Sequence, residues 1–250
     1  WGSLTPGHPE FGHTAGVEMT TGPLGQGVAT AVGMAMAARY ERGLLDPTAA
    51  KDQSVFDHCI WVICSDGDLQ EGVSAEASSL AGTQELGNLN VIYDDNRISI
   101  EGDTHNAFTE DVSARYVAYG WQVIEVAAAQ DGSVDIAALD AAMVAAKKES
   151  TKPTLIRMKS VIAWPAPKAQ GTAASHGSAL GADEIKETKI ALGLNPEEHF
   201  AMPAEVLAHA RLVKERGNKA RAQWNMQFER WASSNPDRAT LLERLQKRSL

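Results

Sequence analysis

The pattern of apolar and polar residues predicts strands and helices that alternate along most of the chain. The apolar run Ile60–Cys64 is typical of a strand buried on both faces, and a helical pattern over residues 71–86 and a second apolar run at residues 90–93 follow it. Two more helix-then-strand pairs follow, at residues 110–119 and 121–126 and at residues 134–148 and 154–158. This order predicts an α/β fold, a doubly wound and mainly parallel sheet covered by helices.

The segments outside this alternation predict a loop, a helix and a helical extension. The glycine-rich stretch Thr21–Gly27 is typical of a loop, and the alanine-rich run from Val28 to Leu45 favours a helix. Residues 159–178 form a long irregular stretch, which makes them a candidate functional loop. We therefore expect an α/β domain over residues 1–200, with its N-terminal part missing, and a charged helical extension over residues 201–250 that leads to a further domain.

Composition and charge narrow the classes of function. A chain of 250 residues that is 44% hydrophobic can form a full core, and it contains no apolar run long enough to span a membrane. The net charge of -9 argues against a nucleic-acid-binding surface, which needs clustered Lys and Arg. Cys59 and Cys64 lie five residues apart in the first predicted strand, so they point to opposite faces and predict no disulfide, as in a cytoplasmic protein.

Polar residues follow two consecutive predicted strands, where ligands bind in open α/β sheets. Asp66 follows the first strand, and Asn96 follows the second one 30 positions later. A carboxylate, an amide oxygen and the backbone carbonyl of Ile98 would form an oxygen set suited to Mg²⁺ or Ca²⁺, and Mg²⁺ keeps coordination positions for phosphate oxygens. Each motif alone is common in loops, but the pair at this spacing predicts a metal site with a diphosphate ligand.

Further segments make the chain resemble transketolases over nearly its whole length. The thiamin diphosphate signature of that family, Asp-Gly followed about thirty residues later by Asn, is matched by Asp66-Gly67 and Asn96. The other matching segments are Thr5–Glu10, Thr20–Gly27, Glu71–Gly82, Tyr93–Ile100, Ala118–Trp121 and Ser175–Gly177. Ser65 departs from the glycine that usually precedes the aspartate, and Ser178-Ala179 departs from the Ala-Pro of many relatives.

The resemblance implies a thiamin diphosphate site with a divalent metal, magnesium, with calcium or manganese as alternatives. It assigns Asp66, Asn96 and the Ile98 carbonyl to the metal. The implied cofactor contacts are Gly22, Leu24, Asp66, Gly67, Glu71, Asn96 and His176.

The implied catalytic residues are His8, which would hydrogen-bond the reacting end of the substrate, and His176, which would lie near the reacting centre. Glu71 and Glu76 would belong to an acidic cluster that joins the two cofactor sites of a homodimer.

The activity implied by the resemblance is transfer of a two-carbon ketol unit from a ketose phosphate to an aldose phosphate in the pentose phosphate pathway. The expected partners are xylulose 5-phosphate, ribose 5-phosphate and erythrose 4-phosphate, with no nucleic acid and no membrane. This fragment alone would be inactive, because the glutamate that protonates the pyrimidine ring lies in a pyrimidine-binding domain absent here. The alternatives are dihydroxyacetone synthase, another thiamin diphosphate enzyme such as a deoxyxylulose-phosphate synthase, and a non-catalytic cofactor-binding subunit.

Overall fold

The computed structural model describes Leu4 and residues 7–248 of the chain. Its strands are β1 (Ile60–Ser65), β2 (Leu89–Asp95), β3 (Ile98–Ser99), β4 (Gly102–Asp103), β5 (Gln122–Val126) and β6 (Thr154–Lys159). Its α-helices are α1 (Gln26–Leu45), α2 (Asp66–Gln70), α3 (Gly72–Thr83), α4 (Val112–Ala118), α5 (Ile136–Lys148), α6 (Ala182–Ala191), α7 (Ala204–Ser234) and α8 (Pro236–Lys247). Within the described residues, no helix is long and apolar enough to cross a membrane.

Four parallel strands form the main sheet, in the order β1-β2-β6-β5. Side chains of successive strand residues point to opposite faces, so Val91 and Tyr93 pack with helices α1, α3 and α4, whereas Ile92 packs with α5. Both faces of the sheet are therefore covered by helices, which confirms the predicted doubly wound, mainly parallel fold.

The structure corrects some of the predicted boundaries. Asp66, which follows the first strand, begins the short helix α2, because the Asp68 carboxylate accepts from the backbone N–H of Ser65 and so stabilises a first helical turn. Helix α3 ends at Thr83, before the predicted end at residue 86, since Glu85 has a left-handed backbone with φ of 52°. Strand β2 continues to Asp95 instead of ending at Tyr93, and the hairpin of β3 and β4 was not predicted.

The main sheet and the last two helices belong to different compact units. Among the described residues, the first unit comprises Leu4, residues 7–36 and Cys59–Pro196, and the second comprises Ala37–His58 and residues 197–248. The expected helical segment after residue 200 is present as α7 and α8. Residues 37–58, which the sequence assigned to the α/β domain, lie in the second unit because its core includes Leu45 and Phe56.

The core of the second unit is built around Trp231. Its ring meets that of Phe56 edge to face at a centroid distance of 4.8 Å, and Leu45 and Leu242 belong to the same buried cluster. Asn235 precedes α8, but its side chain makes no capping bond to that helix, and its Nδ2 donates to the carbonyl of Trp231 at 2.9 Å.

Both cysteines are free thiols. Cys64 lies in the core at the end of β1, and Cys59 immediately precedes the strand and is partly exposed. The absence of a disulfide between them agrees with the sequence prediction.

Candidate cofactor and metal site

Asp66 lies at the carboxyl end of β1, where it begins α2, and only 3% of its surface is exposed. Its Oδ1 accepts a hydrogen bond of 2.5 Å from the Tyr93 hydroxyl, and its Oδ2 accepts one of 3.0 Å from the backbone N–H of Arg97. Tyr93 is in β2 and Arg97 follows that strand. The carboxylate is thus held in place by the neighbouring strand and by the segment that follows it.

The electrostatic setting of Asp66 favours a bound cation. Burial raises the pKa of this carboxyl, the bonds from Tyr93 and Arg97 lower it, and the nearby carboxylates of Asp95 and Asp94 raise it further. Among the described residues, Asp66 forms no ion pair, so its only bonded donors are a neutral hydroxyl and a neutral amide. A divalent cation would stabilise the charged form of such a carboxylate.

Asn96 directly precedes Arg97, the residue whose backbone N–H binds Asp66. Its Oδ1 accepts from the Ile98 N–H at 2.9 Å, and its Nδ2 donates to Asp94 Oδ2 at 3.4 Å. Arg97, between the two predicted ligands, has φ of 60°, and its N–H is the donor to Asp66. An amide oxygen has two lone pairs, so the Asn96 oxygen can serve a metal while it accepts from Ile98.

The loop before α1 packs onto the start of α2. A Cβ built on Gly67 would lie 3.0 Å from Leu24 Cδ1, so the Leu24 side chain rests on the glycine next to Asp66. A Cβ built on Gly22 would lie 3.0 Å from His8 Nδ1, which places the histidine ring against the same loop. Two contacts thus link four predicted site residues in pairs, His8 with Gly22 and Leu24 with Gly67, and Gly22 and Leu24 belong to the same loop.

The remaining predicted site residues take no part in the contacts of His8 with Gly22 and of Leu24 with Gly67. Glu71 is exposed in the position that precedes α3, and Glu76 is exposed on the same helix. His176 is exposed after a short 3-10 helix at Ala173–Ser175, and within the described residues no hydrogen bond joins its side chain to Asp66 or Asn96. Thr5 and Pro6 of the segment Thr5–Glu10 lie outside the described residues.

Two groups that support the site, Tyr93 and Asp95, were not predicted from the sequence. Tyr93 resembles an ordinary core residue of a strand, and nothing in its sequence context indicates that its hydroxyl binds Asp66. Asp95, which is 2% exposed, accepts from Arg157 Nε at 2.6 Å and from Lys159 Nζ at 2.7 Å. Burial raises the pKa of Asp95, but the bonds from Lys159 and Arg157 outweigh this effect and hold the pKa below its usual value.

Comparison with known proteins identifies the family. The sequence model described as transketolase, thiamine diphosphate binding domain, matches residues 1–250. The chain belongs to the transketolase family. It is 53% identical over 245 residues to the transketolase of Mycobacterium leprae, which covers 98% of this chain and 34% of that protein. It is 49% identical to the transketolase of Bacillus subtilis, which covers 97% of this chain and 36% of that protein.

Solved transketolase structures share the fold of this chain. A transketolase from Pichia stipitis, solved as a complex with sedoheptulose 7-phosphate, superposes with a TM-score of 0.88 at 47% identity over 97% of this chain and 35% of that one. The transketolase from Leishmania mexicana superposes with a TM-score of 0.89 at 38% identity over 100% of this chain and 36% of that one. The chain therefore spans about a third of the length of the transketolases it matches, and the predicted family and thiamin diphosphate-binding domain are confirmed.

Proposed function

We propose that this chain is the diphosphate-binding part of a transketolase that transfers a two-carbon ketol unit from a ketose phosphate to an aldose phosphate in the pentose phosphate pathway. The observation that carries the proposal is the 3.0 Å hydrogen bond from Arg97 N–H to Asp66 Oδ2, because it joins the Asp66-Gly67 part of the signature to the residue that follows Asn96. Similar proteins from Pichia stipitis were solved as complexes with xylulose 5-phosphate, fructose 6-phosphate and sedoheptulose 7-phosphate. This likeness supports sugar phosphates as the substrates, and we propose ribose 5-phosphate and erythrose 4-phosphate as acceptors.

The proposed metal ligands are Asp66, the Asn96 amide oxygen and the Ile98 carbonyl. In support, Asp66 is a buried carboxylate without an ion pair among the described residues, and Asn96 and Ile98 flank the amide that binds it. The donor set is composed of oxygens, which suits Mg²⁺, with Ca²⁺ or Mn²⁺ as alternatives.

The proposed cofactor contacts are made by backbone atoms of Gly22, Leu24 and Gly67 and by the His176 side chain. When bound, thiamin diphosphate supplies the carbon nucleophile that carries the two-carbon unit. The contact between Leu24 and Gly67 supports this assignment, because it holds the two backbone segments at the same end of the sheet.

The remaining roles concern the substrate and the assembly. His8, whose ring lies against Gly22, is proposed to hydrogen-bond the reacting end of the sugar phosphate, and His176 to lie near the reacting centre. Glu71 and Glu76, both exposed at the start of α3, are proposed to link the cofactor sites of a homodimer.

The full-length enzyme is proposed to act in the cytoplasm. Residues 1–200 would bind the diphosphate, and residues 201–250 would lead to a pyrimidine-binding domain. The chain alone is proposed to be inactive, since the glutamate for the pyrimidine ring would come from that domain.

The test is calorimetric titration of the full-length enzyme with thiamin diphosphate, in Mg²⁺ and after chelation, followed by a two-carbon transfer assay on xylulose 5-phosphate and ribose 5-phosphate. We expect metal-dependent binding and turnover, and loss of both in Asp66→Ala. The matched control is Asp131→Ala, because Asp131 is an exposed loop aspartate that also accepts from a backbone N–H and a hydroxyl.

Three other outcomes would count against parts of the proposal. Unchanged cofactor affinity in Asp66→Ala would refute the metal assignment. Binding by the wild type without transfer would indicate another thiamin diphosphate enzyme, such as dihydroxyacetone synthase, or a non-catalytic subunit. A wild-type enzyme that does not bind thiamin diphosphate would refute the proposed function altogether.

A further inference from the structure

Asp68 connects two segments of the site, but it is neither a proposed metal ligand nor a proposed cofactor contact. It lies in α2, is half-buried, and accepts hydrogen bonds on both carboxylate oxygens. Its Oδ2 accepts from the backbone N–H of Ser65 at 2.9 Å and from the Ser65 hydroxyl at 3.2 Å. Its Oδ1 accepts from the backbone N–H of Gly25 at 2.9 Å, across 43 positions of sequence.

Gly25 makes this bond in a backbone conformation that favours glycine. The residue is buried, and its φ of 78° lies in the left-handed region that favours glycine. A Cβ at this position would lie 2.8 Å from both Glu71 Cβ and Ser74 Oγ, so the backbone of Gly25 is in close contact with the start of α3. Its carbonyl accepts from Ala29 N–H at 3.0 Å, which makes Gly25 the residue from which α1 begins.

The bond from Gly25 to Asp68 therefore fixes where the preceding loop ends. Leu24 is the next residue back along the chain, and its side chain rests on Gly67, the residue before Asp68. Leu24 and Gly25, which are adjacent in the loop, thus contact Gly67 and Asp68, which are adjacent in α2. Leu24 makes an apolar contact with Gly67. Gly25 donates a charge-assisted hydrogen bond to Asp68.

We propose that Asp68 is a positioning residue that holds the Gly22–Gly25 loop in register with the Asp66-Gly67 turn, and thereby sets the affinity for thiamin diphosphate. Two donors from Ser65 fix the orientation of the carboxylate so that its Oδ1 faces Gly25. The role rests on the proposed function, because Gly22, Leu24 and Gly67 are cofactor contacts only in that proposal. Asp68 acts through these neighbours and is assigned no contact with the cofactor.

Ser65 has a defined part in this arrangement. The transketolase signature usually has glycine at this position, and the serine hydroxyl supplies an additional donor to Asp68. Its backbone N–H would still donate if the side chain were removed. Ser65→Gly should therefore weaken the arrangement much less than loss of Asp68.

The experiment compares the full-length wild-type enzyme with Asp68→Ala, Asp68→Asn and Ser65→Gly, with Asp131→Ala as the control. The measurements are amide hydrogen exchange of the peptide that contains Gly25, calorimetric affinity for thiamin diphosphate in Mg²⁺, and kcat and KM for the sugar phosphates at saturating cofactor. In Asp68→Ala we expect faster exchange in that peptide and roughly tenfold or greater loss of cofactor affinity, since hydrogen bonds to charged groups are strong. The KM for sugar phosphates at saturating cofactor should stay within about twofold of the wild type, because a residue that positions the cofactor loop leaves the substrate contacts in place.

Asp68→Asn keeps the side-chain volume but offers one acceptor oxygen in place of two, so its loss of affinity should be intermediate, and it replaces Asp68→Ala if that variant does not fold. Ser65→Gly should stay within about threefold of the wild type, because the backbone donor remains. Wild-type affinity in both Asp68 variants, or faster exchange without loss of affinity, would overturn the proposal. Failure of the wild type to bind the cofactor is a separate result, which would refute the proposed function, while the exchange data would still show whether Asp68 holds the loop.

Discussion

The Tyr93 hydroxyl donates a 2.5 Å hydrogen bond to Oδ1 of Asp66, and both residues are buried. Burial, together with the neighbouring Asp66 carboxylate, holds the pKa of the Tyr93 phenol far above its usual value, so the group stays a protonated donor. Because Arg97 N–H occupies the other oxygen, each oxygen of the proposed metal ligand has one fixed donor. These two hydrogen bonds fix the orientation of the carboxylate, and therefore the direction of its remaining lone pairs, before any metal binds.

Removal of the phenol hydroxyl should weaken metal-dependent binding of the cofactor. In Tyr93→Phe, Asp66 loses one of its two fixed donors, and we expect a roughly tenfold lower affinity for thiamin diphosphate in Mg²⁺, since such bonds contribute about 1.5–3 kcal/mol. Calorimetry on the full-length enzyme measures the effect. Tyr116→Phe is the matched control, because Tyr116 is equally buried but bonds Ser78 Oγ at 3.0 Å. Equal affinities for Tyr93→Phe and wild type would mean that this donor does not orient the ligand.

Gly82 should not tolerate alanine, although it lies inside a helix. Helix propensity favours alanine over glycine by about 1 kcal/mol. A Cβ at Gly82 in α3, however, would lie 1.8 Å from the carbonyl oxygen of Tyr119, and a backbone atom cannot move aside cheaply. We therefore expect Gly82→Ala to lower the free energy of unfolding by roughly 2 kcal/mol or more, as overpacked core variants do.

Gly33 in α1 provides the matched control. It is exposed, and a Cβ built on it meets nothing within 4 Å. Gly33→Ala should therefore raise the free energy of unfolding by about 0.5–1 kcal/mol. Urea denaturation of both variants measures the contrast, and a stabilised Gly82→Ala would show that α3 does not approach Tyr119 so closely.

Parallel strand topology explains how the sequence leads to the proposed site. The carboxyl ends of the parallel neighbours β1 and β2 lie at one edge of the sheet, so residues that follow the two strands, such as Asp66 and Asn96, are expected near each other. Their separation in sequence is spanned by α3, as in a standard βαβ unit.

Contacts that depend on close packing between distant segments could not be predicted. Gly25 and Asp68 carry no periodic signal that links them, and the sequence Ser65-Asp66-Gly67-Asp68 is equally typical of a turn. Residues 37–45 continue the alanine-rich helix α1 and residues 46–58 form a loop, and no sequence pattern indicates that this stretch packs with α7 and α8. The predicted domain boundary at residue 200 could not describe the second unit, because two separate stretches of the chain form that unit.

Loss of Arg157 should destabilise the sheet more than loss of an exposed cation. Asp95 is buried and bonded to Arg157 and Lys159, so Arg157→Met would leave its charge only partly compensated. We expect Arg157→Met to lower the free energy of unfolding by roughly 2–4 kcal/mol, somewhat less than for a buried carboxylate left with no partner. Lys247→Met is the control, because Lys247 and its partner Glu243 are both exposed and such pairs contribute about 0.5 kcal/mol or less. Equal effects in urea denaturation would mean that Lys159 and Arg97, whose Nε lies 3.8 Å from Asp95 Oδ1, are enough to compensate the Asp95 charge.

Substitution by phenylalanine should lower stability no more at the buried Trp231 of α7 than at the partly exposed Trp224 of the same helix. Trp224 is partly exposed, and its Nε1 donates to the carbonyl of Val55 at 3.0 Å. Trp224→Phe leaves that carbonyl without its donor and should lower the free energy of unfolding by about 1 kcal/mol. Trp231 is 8% exposed, and among the described residues its buried Nε1 has no hydrogen-bond partner.

Trp231→Phe therefore loses packing volume but also removes a buried donor that is itself unfavourable by roughly 1–3 kcal/mol, and these contributions oppose each other. We expect its effect on the thermal unfolding midpoint to be no greater than that of Trp224→Phe, despite the greater burial. Thermal denaturation of the two variants side by side measures this. A much larger loss for Trp231→Phe would show that the edge-to-face contact with Phe56, and not the polar group, determines the contribution of this residue.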